Sequence, residues 1–338
     1  MKHVFFVLVL SIVVSSPVIA DDIVVSRRVT DTFVAPRVKA LADAASNQAA
    51  IWKAVCTNPN AAGVTKLKGA FAVSAAAWAS IEWLRQGPME QNGRVSRMAY
   101  WPDGRNSVAV GLQPLLTSQR GMVDLRAAGV AVQGLSALER VLFGGSIDAT
   151  TAGMRRCAVG LAIAGAIEAT SVEIRDGWLK PGGDLAAILT QAKAAHEMLR
   201  RLTTDLIRLH GTIIARKLQD VIGDGTQAAR MERAEMVLSG RSLHQIAINL
   251  ESAAALTRLL VDDRGDAGAN TISSADTAAK IAKALASTAR LEQYAATAKG
   301  RKSLELLMDA VRSAHEVSRD VIPATLGVPV TLNALDGN

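Results

Sequence analysis

The stretch that most constrains this chain runs from Val132 to Gly145, where an apolar helical pattern has one carboxylate in its middle. Leu135, Leu138 and Leu142 follow one face, and Ala137, Val141 and Phe143 widen it toward the neighbouring sides. A short helix that is apolar nearly all round is buried on several sides. Glu139 goes inward with it, and a buried carboxylate needs an ion pair, hydrogen-bond donors or a proton. Ser136, one turn earlier, shares its side of the helix. Two explanations stay open at this level. Glu139 belongs either to a polar site or to a structural ion pair, with Arg140 or a remote arginine.

The rest of the chain reads as helix. No alternating apolar–polar pattern lasts beyond a few residues, aromatic residues make up only 4% of the sequence, and alanine is abundant. Alanine-rich helices propagate well and approach one another closely. The spacing predicts helices over 30–55, 60–85, 107–116, 123–128 and from 148 or 150 to 178. It further predicts a long helical region over 184–220, a helix from about Thr226 through Leu260 with a kink at Gly240 and Ser242, and helices over 274–299 and 301–321. A polar linker is expected over 262–270 and an irregular tail from Gly327. The expected fold is all-α, two packed up-and-down bundles with four-helix-like halves at about 21–180 and 184–338.

Residues 1–20 read as a secretory signal peptide: Lys2 and His3, an apolar run from Val4 to Val14, and a small residue, Ala20, before the cut. The run is shorter than the roughly 20 residues a membrane span needs. No cysteine stands directly after Ala20 to carry a lipid anchor, and no later segment reads as a span, so a periplasmic location is expected. In that oxidising compartment Cys56 and Cys157 are expected to form one disulfide. The net charge of +7, falling to +6 without Lys2, is spread over helix surfaces. Without a basic stripe or interleaved aromatics, it gives no case for nucleic acid.

Catalytic signatures are scarce. His196-Glu197 and His315-Glu316 begin the metallopeptidase motif H-E-x-x-H, but neither has the second histidine. His196 and His210 lie near one helical face, but about 21 Å apart at helical rise, too far to share an ion. His244 and Ser242 follow the predicted kink and could reach an interdomain pocket. Glu82 borders the apolar stripe of the helix that holds Trp78. Trp101 and Asp103 sit in Tyr100-Trp101-Pro102-Asp103, a turn-rich stretch readable as a gap-filling loop or as a site wall. Phosphate-loop and nucleophile-elbow motifs are absent.

Several of these segments together resemble the imelysin-like proteins of bacterial cell envelopes. The resemblance rests on Cys56-Thr57-Asn58-Pro59 followed by Trp78, Glu82 and Trp83, and on Tyr100-Trp101-Pro102-Asp103. It continues with Gly134-Leu135-Ser136-Ala137-Leu138-Glu139 ahead of Leu142-Phe143-Gly144, Ser239-Gly240-Arg241-Ser242-Leu243, and the segment from Leu326 to Gly337. It implies a helical fold of two bundle-like halves with the motif G-x-H-x-x-E near a pocket between them. It also implies a family filed as peptidases, several of whose members are associated with iron uptake. Here Ser136 stands in the histidine position, and a serine hydroxyl replaces imidazole neither as a zinc ligand nor as a base near neutral pH. The expectation is a binding or accessory protein of iron or other metal uptake, working with envelope metal-uptake proteins. Glu139 would be its central acceptor and metal ligand for an iron or other divalent or trivalent ion, with Ser136, Trp101, Asp103, His244, Ser242 and Glu82 around it. A metallopeptidase and a protein-interaction module without a small ligand are the alternatives.

Overall fold

The computed structural model describes residues 17–118, 123–180, 190–225, 228–262 and 265–329, and every regular element among them is helical. Helix α1 (Pro17–Val29) runs through a π-helical turn (Thr30–Val34) into α2 (Ala35–Thr57), so helix begins well before the expected Thr30. The reason lies in α1's inward face. Val25 and Val29 are buried, and Asp22 accepts a 2.8 Å hydrogen bond from the His196 ring. Helix α3 (Ala61–Ala79) stops short of the expected Arg85, because the chain turns at Ser80 and buries Ile81, Trp83 and Leu84.

Short helices α4 (Arg94–Met98), α5 (Ser107–Thr117) and α6 (Leu125–Ala128) lead to α7 (Leu135–Phe143), the segment with Glu139. Helix α8 (Thr151–Leu179) is capped by the Thr150 hydroxyl, which accepts from the Gly153 N–H. By length and composition α8 could cross a bilayer, contrary to the expectation that no later segment could. Here it packs along α2, and half of its most apolar window is buried. The Cys56–Cys157 disulfide ties the end of α2 to α8 across 101 residues of chain. Closing a loop of that length removes chain entropy worth about 4.7 kcal/mol from the unfolded state.

Helix α9 (Ala192–Thr212) continues through a π-helical turn (Ile213–Gln219) to Ile222. The expected start at Asp184 lies outside the described residues. The largest departure comes next. Residues 228–241 form a loop with one 3₁₀ turn (Met231–Arg233), and helix α10 (Ser242–Val261) begins only after it. Met236 takes a left-handed conformation (φ 51°) there, which a helix interior does not allow. Most of the expected polar linker is helical too, since α11 spans Gly265–Thr288. After a break at Ala289 and Arg290 come α12 (Leu291–Ala295) and α13 (Ala298–Leu326), so the helix expected to reach Lys299 ends early. The tail from Val330 lies outside the described residues.

Helices pack both on their neighbours in sequence and on distant ones. α2 packs on α8 and α3, α10 on α11, α11 on α13, and α1 lies against α9. The crossing of α7 with the loop at 228–241 positions the site.

Candidate functional site

Gly134 starts α7 because nothing larger fits. A side-chain carbon there would sit 2.4 Å from the Met98 carbonyl oxygen and 2.6 Å from that of Arg97. This close approach sets α7 beside the Tyr100–Asp103 segment. Glu139, 5% exposed, turns toward the loop at 228–241. Its Oε1 accepts from the Ser239 N–H at 2.8 Å and the Ser239 hydroxyl at 2.6 Å. Burial pushes the carboxyl above its ordinary range, against the opposing pull of the Ser239 donors, Arg140 and the Leu238 main chain. The Arg140 guanidinium reaches Asn106 Oδ1 at 3.3 Å, so the close partners of Glu139 are uncharged donors of the loop.

A cavity of about 520 Å³ opens between α7, the Tyr100–Asn106 segment and the loop, with Tyr100, Trp101, Ser136, Glu139, Arg140 and Arg233 on its walls. Trp101, whose peptide bond to Pro102 is cis, is fixed by a 3.0 Å hydrogen bond from its indole N–H to the Arg233 carbonyl. Asp103 also lines the cavity, but its two oxygens accept from the Ser107 and Val108 N–H groups at 2.7 and 2.9 Å. It therefore anchors the start of α5. Ser242 lies outside the cavity wall, its hydroxyl donating to the Glu235 carbonyl at 2.6 Å. His244 is on α10, away from the cavity, with its pKa lowered by burial. Ser136, Glu139, Trp101 and Asp103 come together, whereas His244, Ser242 and Glu82 lie elsewhere.

Glu82 belongs to a second polar centre behind Trp101. The buried Lys217 Nζ donates to Glu82 Oε1 at 2.7 Å, Glu235 Oε2 at 2.6 Å and Asn249 Oδ1 at 2.8 Å. It lies 5.4 Å from the centre of the Trp101 ring. Asn249 donates in turn to Glu82 and to the Ala79 carbonyl. Although burial opposes its charge, Glu82 is held below the ordinary carboxylate range by Lys217. Burial, with Glu82 beside it, pushes Glu235 up to about 7. Two carboxylates around one ammonium ion thus split into an ionised member and one that readily holds a proton.

Two of these residues, Lys217 and Asn249, were not singled out by sequence reasoning, and Ser239 entered only within the Ser239–Leu243 segment that resembles the family. Lys217 did leave a trace. It follows His210 and Ile213 and precedes Val221 on the apolar face of its helix, where a lysine needs a buried partner. Beyond that segment Ser239 gave no sign of its role, because a loop has no periodicity to break. His210 is buried among α9 and α13 with its ring 6.4 Å from that of His315, and burial pushes it down to about 3, so it stays neutral. Among the described residues, no three His, Cys, Asp or Glu side chains group as metal ligands would.

Comparison with known proteins completes the picture. An imelysin-like protein from Psychrobacter arcticum 273-4 superposes with a TM-score of 0.74 at 21% identity, over 95% of this chain and 100% of that one. A candidate iron-regulated protein A precursor from Parabacteroides distasonis ATCC 8503 gives 0.64 at 13% identity, over 93% and 95%. A search of curated proteins found no match. The sequence model of the imelysin peptidase family matches residues 34–317, which span α2 to α13 and include Glu139, Lys217 and Ser239. The chain is a member of the imelysin family.

Proposed function

We propose that this protein is a ligand-binding accessory protein of the bacterial cell envelope, serving the uptake of iron or another metal. Its ligand occupies the cavity between α7 and the loop at 228–241. The observation that supports this reading is the cavity itself. About 520 Å³ of space brings two aromatic walls, a hydroxyl, two guanidinium groups and a buried carboxylate together, and that volume is typical of small-molecule sites. The iron-regulated relative and the leader-like residues 1–20 favour an envelope setting. In this reading the leader is cut after Ala20, and residues 21–338 work as two bundle-like halves at about 21–180 and 184–338. A periplasmic metal-uptake protein is the natural partner.

The donor set does not fit a resident metal ion. Glu139 is already engaged by Ser239, Asp103 caps α5, and Ser136 offers a neutral hydroxyl. The metal is therefore cargo that arrives with its own oxygen ligands, and the protein supplies walls, hydrogen bonds and charge. A metallopeptidase would need an ion held by several side chains with one position open for water, and this cavity offers too few unengaged ligands.

Protein purified from the periplasm tests the proposal by intact mass and by calorimetric titration with ferric citrate. A mature chain beginning at Asp21 is expected, with saturable binding weakened about tenfold or more by Trp101→Ala, the scale of losing one aromatic contact. Absence of binding by the wild type, or equal binding by the variant, would overturn it.

A further inference from the structure

We propose that a second, smaller cavity, on the far side of Trp101 from Glu139, binds a small inorganic anion of chloride or bicarbonate size. The cavity measures about 70 Å³ and is walled by Trp83, Arg85, Trp101, Arg208, Lys217 and Glu235, among others. One water needs roughly 10–15 Å³ of such space, so the cavity suits a small ion and excludes an organic ligand.

Donors dominate its polar wall. The Trp83 indole is 5% exposed, and its N–H meets no protein acceptor. An ion seated in the cavity could supply the acceptor that this donor lacks. Arg85 gives one guanidinium N–H to the Glu82 carbonyl at 2.7 Å, and its remaining donors have no partner among the described contacts. Arg208 pairs with Asp205 at 3.0 Å and borders the same space. Lys217 has used its three N–H groups on Glu82, Glu235 and Asn249 and contributes charge alone.

The opposing charges are already committed. Glu82 and Glu235, both on the wall, are drawn to Lys217, and Asp205 accepts from the Arg85 main chain as well as from Arg208. Burial favours the neutral forms of Glu235 and Asp205, each pushed up to about 7, which weakens the negative charge beside the cavity. An anion would complete the pairing of Arg85 and the Trp83 N–H. This site is independent of the Glu139 cavity, because the two share only Trp101 among the residues of both walls.

The test uses the mature protein in gluconate buffer. Chloride binding is read by ³⁵Cl line broadening, bicarbonate by its competition with chloride, and both by the fluorescence of the wall tryptophans. Saturable broadening is expected in the wild type. Arg85→Gln should weaken binding about tenfold or more, the scale of one charge-assisted hydrogen bond. Trp83→Phe removes the indole N–H together with part of the ring and should weaken binding severalfold. Ferric citrate titration of the same samples reads the other cavity and should not change. No saturable anion binding by the wild type overturns the proposal. So does unchanged binding by Trp83→Phe, which decides the matter even if Arg85→Gln fails to fold.

Discussion

The two sides of Trp101 handle buried carboxylates in opposite ways. On one side Glu139 is alone among uncharged donors, and burial raises its pKa. On the other, Glu82 sits against Lys217, which holds it below the ordinary range despite equally deep burial. The same side chain is destabilised in its charged form in one place and stabilised in the other. What differs is the presence of a buried cation, and that presence depends on which helices meet. The Glu139 side borders a roomy cavity, while on the Lys217 side, beside a much smaller one, an ion pair to Glu235 holds the same loop.

The comparison can be broken most forcefully at Lys217. Lys217→Met strands two buried carboxylates and should cost about 3–5 kcal/mol in urea unfolding. Adding Glu82→Gln and Glu235→Gln should recover most of that loss. A single variant with wild-type stability would mean that charge does not hold the loop. Glu139→Ala should cost less, about 1–3 kcal/mol, because it leaves only neutral Ser239 donors unsatisfied. Hydrogen exchange should quicken across residues 231–241 and stay slow in α8.

Titration sharpens the contrast without altering shape. A carboxyl with a raised folded pKa contributes stability that is full below its unfolded pKa and is lost as pH rises through the folded value. Glu139 behaves this way, so Glu139→Gln should flatten the decline of stability above the ordinary carboxyl range. Glu82 has a lowered pKa, so its contribution is full above the unfolded value and disappears as pH falls through the folded one. Glu82→Gln should therefore flatten the acid limb. Unfolding midpoints measured from acid to neutral pH check both slopes. If the two variants changed the same limb, the contrast would fail. The smallest effect is expected for Ser239→Ala, about 1 kcal/mol or less, since the Ser239 main-chain N–H still reaches Glu139.

Much of the fold was legible because helices advertise a buried face at regular spacing. Thr150 and the apolar positions of α8 located that helix to within a residue or two, and α5 was bounded almost as closely. The disulfide was legible from cysteine count and compartment. Residues 228–241 misled for a physical reason. Met231, Ala234, Met236 and Leu238 have the composition of a helix, yet Ala234, Glu235 and Met236 are buried by contacts that a loop makes as well. Tertiary packing overrode local propensity there. The apolar helix pattern drew attention to Glu139 and the turn-rich aromatic stretch to Trp101, and these two do share a cavity, whereas His244 was proposed from sequence proximity to a kink that proved to be the end of a loop.

By itself the sequence determined the helical class, the disulfide, the burial of Glu139 and the replacement of the motif histidine by Ser136, because each follows from periodicity, composition or residue chemistry. Tertiary structure alone decided who meets whom. Ser239 lies 100 residues from Glu139, and Lys217 lies 135 from Glu82. Periodicity tells one helix which side is dry but says nothing of the partner that dries it. That choice is made when whole helices pack, and there a buried acid finds either a hydroxyl or a lysine.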